Sequence, residues 1–148
     1  MSTIIREMNE RDRECVLAMM EVFYHSEAVF TNGSEKIYQN DFDNCVNESP
    51  YLEGYIFEED HTILGYAMLA KSFSTEFGMP CIWIEDLYLK PPYRGKGIAQ
   101  RFFTYVEKKY PDTVIRLEVE KENEHAVYVY KKGGFGVLPY QEMIKHRE

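Results

Sequence analysis

Hydrophobic positions follow two different spacings along the chain. In some segments apolar residues recur every three or four positions, which is typical of amphipathic helices, and in others they alternate or run together as in strands. This pattern predicts helices over 9–26, 34–47, 97–110 and 123–132, and strands over 3–7, 51–58, 63–73, 81–89 and 114–119. One or two closing strands are expected between 135 and 145. The order of the elements predicts a mixed α/β domain with a central sheet.

The segment 81–89 is the most strand-like part of the chain. Alternation predicts one face with Cys81, Trp83, Leu87 and Leu89 and another with Ile82, Ile84 and Tyr88. A strand that is apolar on both alternations is covered on both faces. Glu85 and Asp86 interrupt this apolar strand. Burial of a carboxylate costs free energy, which indicates a function for these two residues. Alternation sends the two to opposite faces, and desolvation would raise the pKa of either, which suits a group that accepts a proton from an amine.

Length and composition restrict the class of protein. The 148 residues are 45% hydrophobic and include nine Phe, twelve Tyr and one Trp, which favours one folded domain, expected over 1–148, and excludes a disordered chain. No apolar run approaches the roughly 18 residues of a membrane span, and no secretory pattern is visible at the amino terminus. Cys15, Cys45 and Cys81 are far apart and odd in number, as expected for reduced thiols. We therefore expect a cytoplasmic protein without a membrane partner.

Charge is unevenly distributed in this acidic chain. The net charge of −8 argues against general affinity for nucleic acid, yet six basic residues and one acid lie between 90 and 109. Within that window, a turn containing Gly95 and Gly97 connects the apolar strand to the next helix. Unpaired main-chain amides at such a turn, at the positive end of a helix dipole, can bind phosphate oxygens. The alternatives are a plain turn and a solvated helix face.

Two ordered motifs lie on either side of the strand 114–119. An Arg/Gln-x-x-Gly-x-Gly/Ala loop is matched by Arg94, Gly95, Lys96, Gly97, Ile98 and Ala99. The spacing Asn-x-x-Ala-x-x-x-Tyr-x-x-x-Gly-Phe is matched by Asn123, Ala126, Tyr130, Gly134 and Phe135. Together they resemble the GCN5-related N-acetyltransferase (GNAT) superfamily, with Ala99 in place of the commoner glycine and Gly133 as added flexibility before Gly134. The resemblance covers most of the chain and implies the GNAT-like acyl-coenzyme A N-acyltransferase fold.

The resemblance also implies a site for acetyl-coenzyme A along the central strand and the glycine loop. The residues that it assigns to the coenzyme are Leu87, Tyr88, Leu89, Arg94, Gly95, Lys96, Gly97, Ile98, Ala99, Gln100, Asn123 and Ala126. Tyr130 occupies the position of the general acid, with a packed core ring as the alternative, and Asn123 is also suited to cap the last helix. The segment around Glu85 and Asp86 is similar to the Leu-Glu-Asp strand of the spermidine/spermine and thialysine acetyltransferase branch, where the glutamate is assigned as base.

These assignments predict direct acetyl transfer to a primary amine, with Glu85 as general base and Tyr130 as general acid. The acidic surface favours a small cationic acceptor such as a polyamine. Asp86 is interpreted as amine-binding or structural, and Tyr38 and Phe30 as lining an acceptor pocket or belonging to the core. The rival functions are a protein or peptide N-acetyltransferase and a non-catalytic acyl-coenzyme A-binding module. Isolated histidines predict no metal, and similar proteins are commonly homodimers.

Overall fold

The computed structural model describes residues 3–146, and the helices of this part of the chain pack on both faces of one sheet. The strands are β1 (Ile4–Glu7), β2 (Leu52–Glu59), β3 (Thr62–Ser74), β4 (Met79–Leu89) and β5 (Val114–Leu117). The helices are α1 (Arg13–Tyr24), α2 (Glu35–Val46), α3 (Ile98–Lys109) and α4 (Glu124–Lys132). Strands lie in sequence order and are antiparallel, except for the parallel pair β4 and β5. The expected mixed α/β architecture is confirmed, while the expected domain limits at 1 and 148 fall outside these residues.

Each face of the sheet has its own apolar core. On the α1–α2 face, buried side chains of the two helices, among them Met20 and Phe42, pack against Tyr66 and Met68 of β3. On the α3 face, the spacing of three to four residues places one side of α3 against the sheet. The buried residues of that side are Ile98, Phe102, Phe103 and Val106. The sheet is therefore covered by helices on both faces, as the apolar character of β4 predicts.

A β-bulge changes the alternation of β4 at Glu85. Met68 pairs with Asp86 and Leu69 pairs with Ile84, so Glu85 has no partner across the β3–β4 ladder. The extra residue reverses which face later side chains reach. Ile82 and Ile84 therefore share the α3 face with Leu87 and Leu89, while Asp86 and Tyr88 lie on the α1–α2 face. The sequence-based faces, which placed Leu87 and Leu89 with Cys81 and Trp83, are wrong beyond Glu85.

Strands β4 and β5 pair over only part of β4. The parallel ladder joins Cys81–Ile84 to Val114–Leu117 and ends there. From Glu85 to Leu89, β4 pairs with β3 alone, so its other edge is free of strands. β5 is correspondingly shorter than the expected segment 114–119. The bulge and the loss of pairing coincide, and together they open the sheet at the middle of the molecule.

The chain ends differ from the pattern-based expectations. Asn9 caps a short 3₁₀ helix, Glu10–Asp12, and α1 begins only at Arg13. The region 135–146 contains no strand, so the expected closing strands are wrong for the residues that the structure covers. Gly136 weakens a strand here, and Pro139 cannot donate to a ladder. Between residues 3 and 146, no helix combines the length and apolar character that crossing a bilayer requires.

Candidate active site

The glycine loop leads from β4 into the amino terminus of α3. Gly95 and Gly97 have φ of 75° and 81°, in the left-handed region where a side chain is strained. Within residues 3–146, the amides of Gly95, Lys96 and Gly97 have no hydrogen-bond acceptor, and α3 has no side-chain cap. A Cβ atom at either glycine would meet nothing within 4 Å, so the space before the loop is open. Free amides at a helix amino terminus fit the phosphates of a coenzyme.

The basic residues around this loop do not form one patch. Arg94 and Lys96 are exposed at the loop itself. Arg101 instead donates to the Thr3 carbonyl oxygen, and Lys109 lies beside the carboxylate of Glu53 at 3.6 Å. Only part of the basic window between 90 and 109 can therefore face a phosphate group, and the rest stabilises the packing of α3 against the sheet.

The free edge of β4 offers main-chain groups to a ligand. Lys90 donates its amide to the Leu64 carbonyl at 2.9 Å, which places Lys90 in the β3–β4 ladder. Because the direction of main-chain groups alternates along an antiparallel pair, those of Leu87 and Leu89 point to the free edge. Tyr88 instead uses its main-chain groups in the ladder with β3, and its ring is buried on the α1–α2 face. Leu87 and Leu89 are thus the two leucines suited to pair with an extended ligand.

Tyr130 lies on α4 against the α3 face. Its ring centroid is 6.1 Å from that of Phe103 and 6.2 Å from that of Phe135, in edge-to-face arrangements. Its hydroxyl has no hydrogen-bond partner within the described range 3–146. Burial raises the pKa of this phenol, so the proton stays on the oxygen near neutral pH. A protonated hydroxyl without a protein acceptor is available to donate to a ligand.

Helix α4 is positioned by the residues of the second motif. The Asn123 side chain accepts a hydrogen bond from the Ala126 amide at 3.3 Å, so its helix-capping role is present in the fold. The Gln100 side chain donates to the Val129 carbonyl at 3.0 Å and ties α3 to α4. At Gly133 a Cβ atom would lie 2.6 Å from the Phe103 ring, so this glycine is required by close packing rather than by flexibility.

Glu85 and Tyr130 line the same cavity at the free edge of β4. This cavity, which we call the β4–β5 groove, has a volume of about 1120 Å³ and lies between β4, β5, α4 and the segment 136–142. Glu85 retains access to solvent there. Partial burial raises the pKa of Glu85, and the negative charges of Asp86 and Glu142 raise it further. A carboxylate and a phenol therefore line one groove.

Asp86 is held on the α1–α2 face by two tyrosines. Tyr24 donates to its Oδ1 at 2.9 Å and Tyr66 donates to its Oδ2 at 2.8 Å. The residue is only 3% exposed. Burial raises the pKa of Asp86 to about 6, although the two donated hydrogen bonds act in the opposite direction. The two hydrogen bonds fix the orientation of the buried Asp86 carboxyl.

A match to a family model accounts for this combination of loop, groove and helix. The model described as "Acetyltransferase (GNAT) family" matches residues 17–135, most of the chain. The chain belongs to the GNAT family. Both sequence motifs and the groove-lining residues Glu85 and Tyr130 lie inside the matched range. The resemblance inferred from the motifs is therefore confirmed, and the fold is the GNAT fold.

Comparisons with individual proteins agree with membership of the GNAT family. A thialysine N-epsilon-acetyltransferase of Bos taurus is 36% identical over 75 residues, which are 49% of this chain and 44% of that protein. The protein of the same name from Sus scrofa is 28% identical over 147 residues, covering 90% of this chain and 84% of that protein. A crystal structure of a predicted acetyltransferase with acetyl-CoA from Clostridium acetobutylicum has a TM-score of 0.76 and 21% identity, over 97% of this chain and 96% of the other. That structural likeness supports the fold.

One acidic residue of this GNAT site escaped the sequence analysis. Asp41 of α2 is half-buried, and burial together with the charge of Glu85 raises its pKa to about 6. Asp41 stands between Tyr38 and Phe42 on the side of the helix that faces the core. An acid within an apolar stripe of spacing three and four is the signal that could have identified it. The charges of Asp41 on α2 and Glu85 on β4 therefore interact across the α1–α2 face.

The two aromatic residues proposed for the acceptor pocket have different surroundings. Tyr38 is fully buried, its hydroxyl donates to the Asn32 carbonyl at 3.1 Å, and its ring lies 5.6 Å from that of Tyr24. Phe30 is 80% exposed in the connection between α1 and α2. Tyr38 thus packs in the core behind Tyr24, and Phe30 extends into solvent. Across residues 3–146, no group of three His, Cys, Asp or Glu side chains is arranged for a metal ion.

Proposed function

We propose that the protein transfers an acetyl group from acetyl-coenzyme A to a primary amine by direct attack, without a covalent enzyme intermediate. The observation that carries this proposal is that Glu85 and Tyr130 line one groove at the free edge of β4. Family membership and the acetyl-CoA complex of the Clostridium acetobutylicum protein, which has a similar fold, support the choice of donor. The finer expectations of a single catalytic domain over 1–148, a cytoplasmic location and a homodimer remain predictions.

The residues present fit the coenzyme. The open loop at Gly95 and Gly97 would hold its diphosphate through main-chain amides, with Lys96 adding positive charge. The free main-chain groups of Leu87 would pair with the extended arm that carries the acetyl group. When bound, the coenzyme supplies an activated acetyl thioester. The chain supplies orientation and proton transfer.

Glu85 and Tyr130 have properties that match the two proton transfers. An amine must lose a proton to attack a carbonyl, and a carboxylate with a raised pKa is a better acceptor near neutral pH. A departing thiolate, whose conjugate acid has a pKa of about 8.5, must gain a proton. The hydroxyl of Tyr130, which lines the same groove, can supply it. We assign Glu85 as general base and Tyr130 as general acid.

The charges around the groove favour a cationic acceptor. Glu85, Asp86, Asp41 and Glu142 interact electrostatically on the acceptor side, and the chain as a whole carries −8. A polyamine or a lysine-like small amine has the ammonium groups that these carboxylates would attract. The two relatives described above are thialysine N-epsilon-acetyltransferases, which supports the same choice of acceptor.

A panel of amines tests the proposed function. The purified protein is incubated with acetyl-coenzyme A and with spermidine, thialysine, lysine or amino-terminal peptides, and release of free thiol is measured. We expect thiol release that depends on a small polycationic or lysine-like amine. Turnover with peptides alone would establish the protein acetyltransferase instead. Tight coenzyme binding without turnover across the panel would establish a non-catalytic binding module.

A further inference from the structure

Arg94 contacts both the coenzyme edge and the acceptor side of β4. Its Nε donates to the Leu89 carbonyl oxygen at 2.7 Å. Its guanidinium carbon lies 5.6 Å from the centroid of the Tyr88 ring, a cation–π distance. Leu89 and Tyr88 are adjacent in sequence and pack on different faces of the sheet, so one exposed side chain contacts both residues at the point where the loop leaves the strand.

The bond to Leu89 determines where the free edge of β4 ends. The Leu89 carbonyl points to the free edge, as established by the pairing of Lys90 with Leu64. Arg94 already donates to this carbonyl oxygen, so the oxygen is not free to accept a hydrogen bond from a ligand. A ligand extended along the edge can still pair with the main-chain groups of Leu87 and with the Leu89 amide. The same bond fixes the glycine loop to β4. The distance between the phosphate-binding amides and the acetyl-binding edge therefore depends on Arg94.

The contact with Tyr88 reaches the aromatic cluster on the α1–α2 face. The Tyr88 ring lies 6.1 Å from the ring of Phe23 and 6.1 Å from the ring of Tyr66. Tyr66 in turn donates its hydroxyl to Asp86. A displacement of Tyr88 would therefore disturb the aromatic packing that holds the buried carboxylate, since close-packed rings do not move independently.

We propose that Arg94 is a positioning residue that aligns the coenzyme loop with the acceptor pocket, acting through Leu89 and Tyr88 and not through its charge alone. This inference rests on the proposed function. Lys96 lies in the same loop, is exposed, and makes no hydrogen bond or ion pair within residues 3–146. Lys96 can supply positive charge to a phosphate without contacting Leu89 or Tyr88. A need for positive charge at the loop therefore does not explain the two contacts that Arg94 makes.

Two substitutions of Arg94 separate geometry from charge. In Arg94→Gln, the amide nitrogen occupies the same place along the side chain as Nε, so a planar donor to Leu89 is kept and the charge is lost. In Arg94→Lys, a methylene group occupies that place, so the charge is kept and the planar donor is lost. Arg94 is exposed, and both variants are expected to fold, which circular dichroism checks.

The expected result is a split between turnover and coenzyme affinity. For Arg94→Lys we expect kcat/KM for the amine to fall about tenfold, with the Kd of coenzyme A by calorimetry within about twofold of wild type. For Arg94→Gln we expect kcat within about threefold of wild type and weaker coenzyme binding. Lys96→Gln removes charge from the same loop and should weaken coenzyme binding to a similar extent. Lys108→Gln, which removes one charge from an exposed position of α3, is the matched control. A double substitution of Arg94→Lys with Tyr88→Leu should cost less than the sum of its parts.

Three results would overturn the inference. Wild-type kinetics for Arg94→Lys would show that charge is sufficient. Equal loss of turnover in Arg94→Gln and Arg94→Lys would show that the donor at the Nε place does not matter. If the wild-type protein turns over an amine and either result is obtained, only the role of Arg94 fails. If the wild-type protein acetylates no amine, the proposed function fails first and the inference fails with it.

Discussion

The coenzyme half and the acceptor half of the proposed site lie on different faces of the sheet and use different chemical groups. On the α3 face, the elements that suit a coenzyme are main-chain amides, two left-handed glycines and the free edge of a strand. On the α1–α2 face, the corresponding elements are side chains, with Asp86 bonded by two tyrosines and Asp41 nearby. Main-chain recognition depends on local backbone conformation, and a carboxylate cluster depends on tertiary packing. The main-chain half of the site is therefore recognisable from neighbouring residues in the sequence, and the carboxylate cluster is not.

The strongest test of the comparison is Tyr130→Phe, which removes one hydroxyl from the α3 face. We expect kcat to fall about a thousandfold, because the departing thiolate loses its proton donor. The Kd of coenzyme A should stay within about twofold, since the ring keeps its contacts with Phe103 and Phe135. Steady-state kinetics and calorimetry measure the two quantities. Tyr128→Phe, at an exposed position of the same helix, is the control, and an unchanged kcat for Tyr130→Phe would remove this hydroxyl from the mechanism.

Substitution of Glu85 tests which carboxylate accepts the proton. Glu85→Gln should lower kcat/KM about a hundredfold and remove the rise of activity with pH that deprotonation of this carboxyl produces. Because burial raises the pKa of Glu85, that rise should lie above the range of an ordinary glutamate. A pH profile of kcat/KM measures it. Asp86→Asn is the comparison. If Asp86→Asn lowers kcat/KM as much as Glu85→Gln does, and only Asp86→Asn removes the rise of activity with pH, then Asp86 is the base.

A side chain at Gly97 tests the main-chain half of the site. Gly97→Val forces a branched residue into a backbone with φ of 81°, which costs about 2 kcal/mol unless the loop changes conformation. We expect coenzyme affinity about tenfold lower by calorimetry, because the amides then leave their positions. Gly78→Val is the control, since Gly78 has a φ of 65° and a Cβ atom there meets nothing within 4 Å, but it lies in the turn between β3 and β4. Equal binding by Gly97→Val and wild type would contradict the role of the loop.

The smallest expected effect concerns stability on the α1–α2 face. The pKa of Asp41 is about 6 in the fold against 3.8 for the free group. A raised folded-state pKa means that the favourable contribution is present below about pH 3.8 and is lost as the pH rises through about 6. Asp41→Asn should therefore increase the free energy of unfolding at pH 8 by about 1 kcal/mol, allowing for solvent screening. It should also flatten the dependence of that free energy on pH between about 4 and 6.

Urea denaturation at several pH values measures the effect of Asp41→Asn. Glu14→Gln removes an equal charge from an exposed position of α1 and is expected to change stability by less than about 0.5 kcal/mol. A destabilised Asp41→Asn variant at pH 8 would show that the carboxylate makes favourable contacts that outweigh its desolvation.

The sequence predicted the elements that depend on local pattern. The order of helices and strands, the glycine loop and the capping by Asn123 all rest on residues close together in the chain, and all are present in the fold. The bulge at Glu85 was missed because strict alternation was assumed for the whole of β4. A bulge depends on how the neighbouring strand pairs, and no residue type in β4 marks it.

Other features required contacts that only the fold provides. The need for glycine at 133 comes from the ring of Phe103, thirty positions earlier in the chain. The role of Asp41 comes from its distance to a different element. The absence of the expected strands at 135–145 has a more local cause, since Gly136 and Pro139 interrupt that segment. Roles assigned to Glu85 and Tyr130 are still predictions, supported by their shared groove.

The bulge also constrains how this strand can change in length. Removing Glu85 would join Ile84 directly to Asp86 and would restore an unbroken ladder between β3 and β4, because Leu69 already pairs with Ile84 and Met68 with Asp86. Asp86 would keep its hydrogen bonds from Tyr24 and Tyr66, and Leu87 would stay in the apolar layer under α3. The strand can therefore lose Glu85 with the faces of its later residues preserved, whereas an added residue after Asp86 would turn the side chains beyond it to the opposite faces.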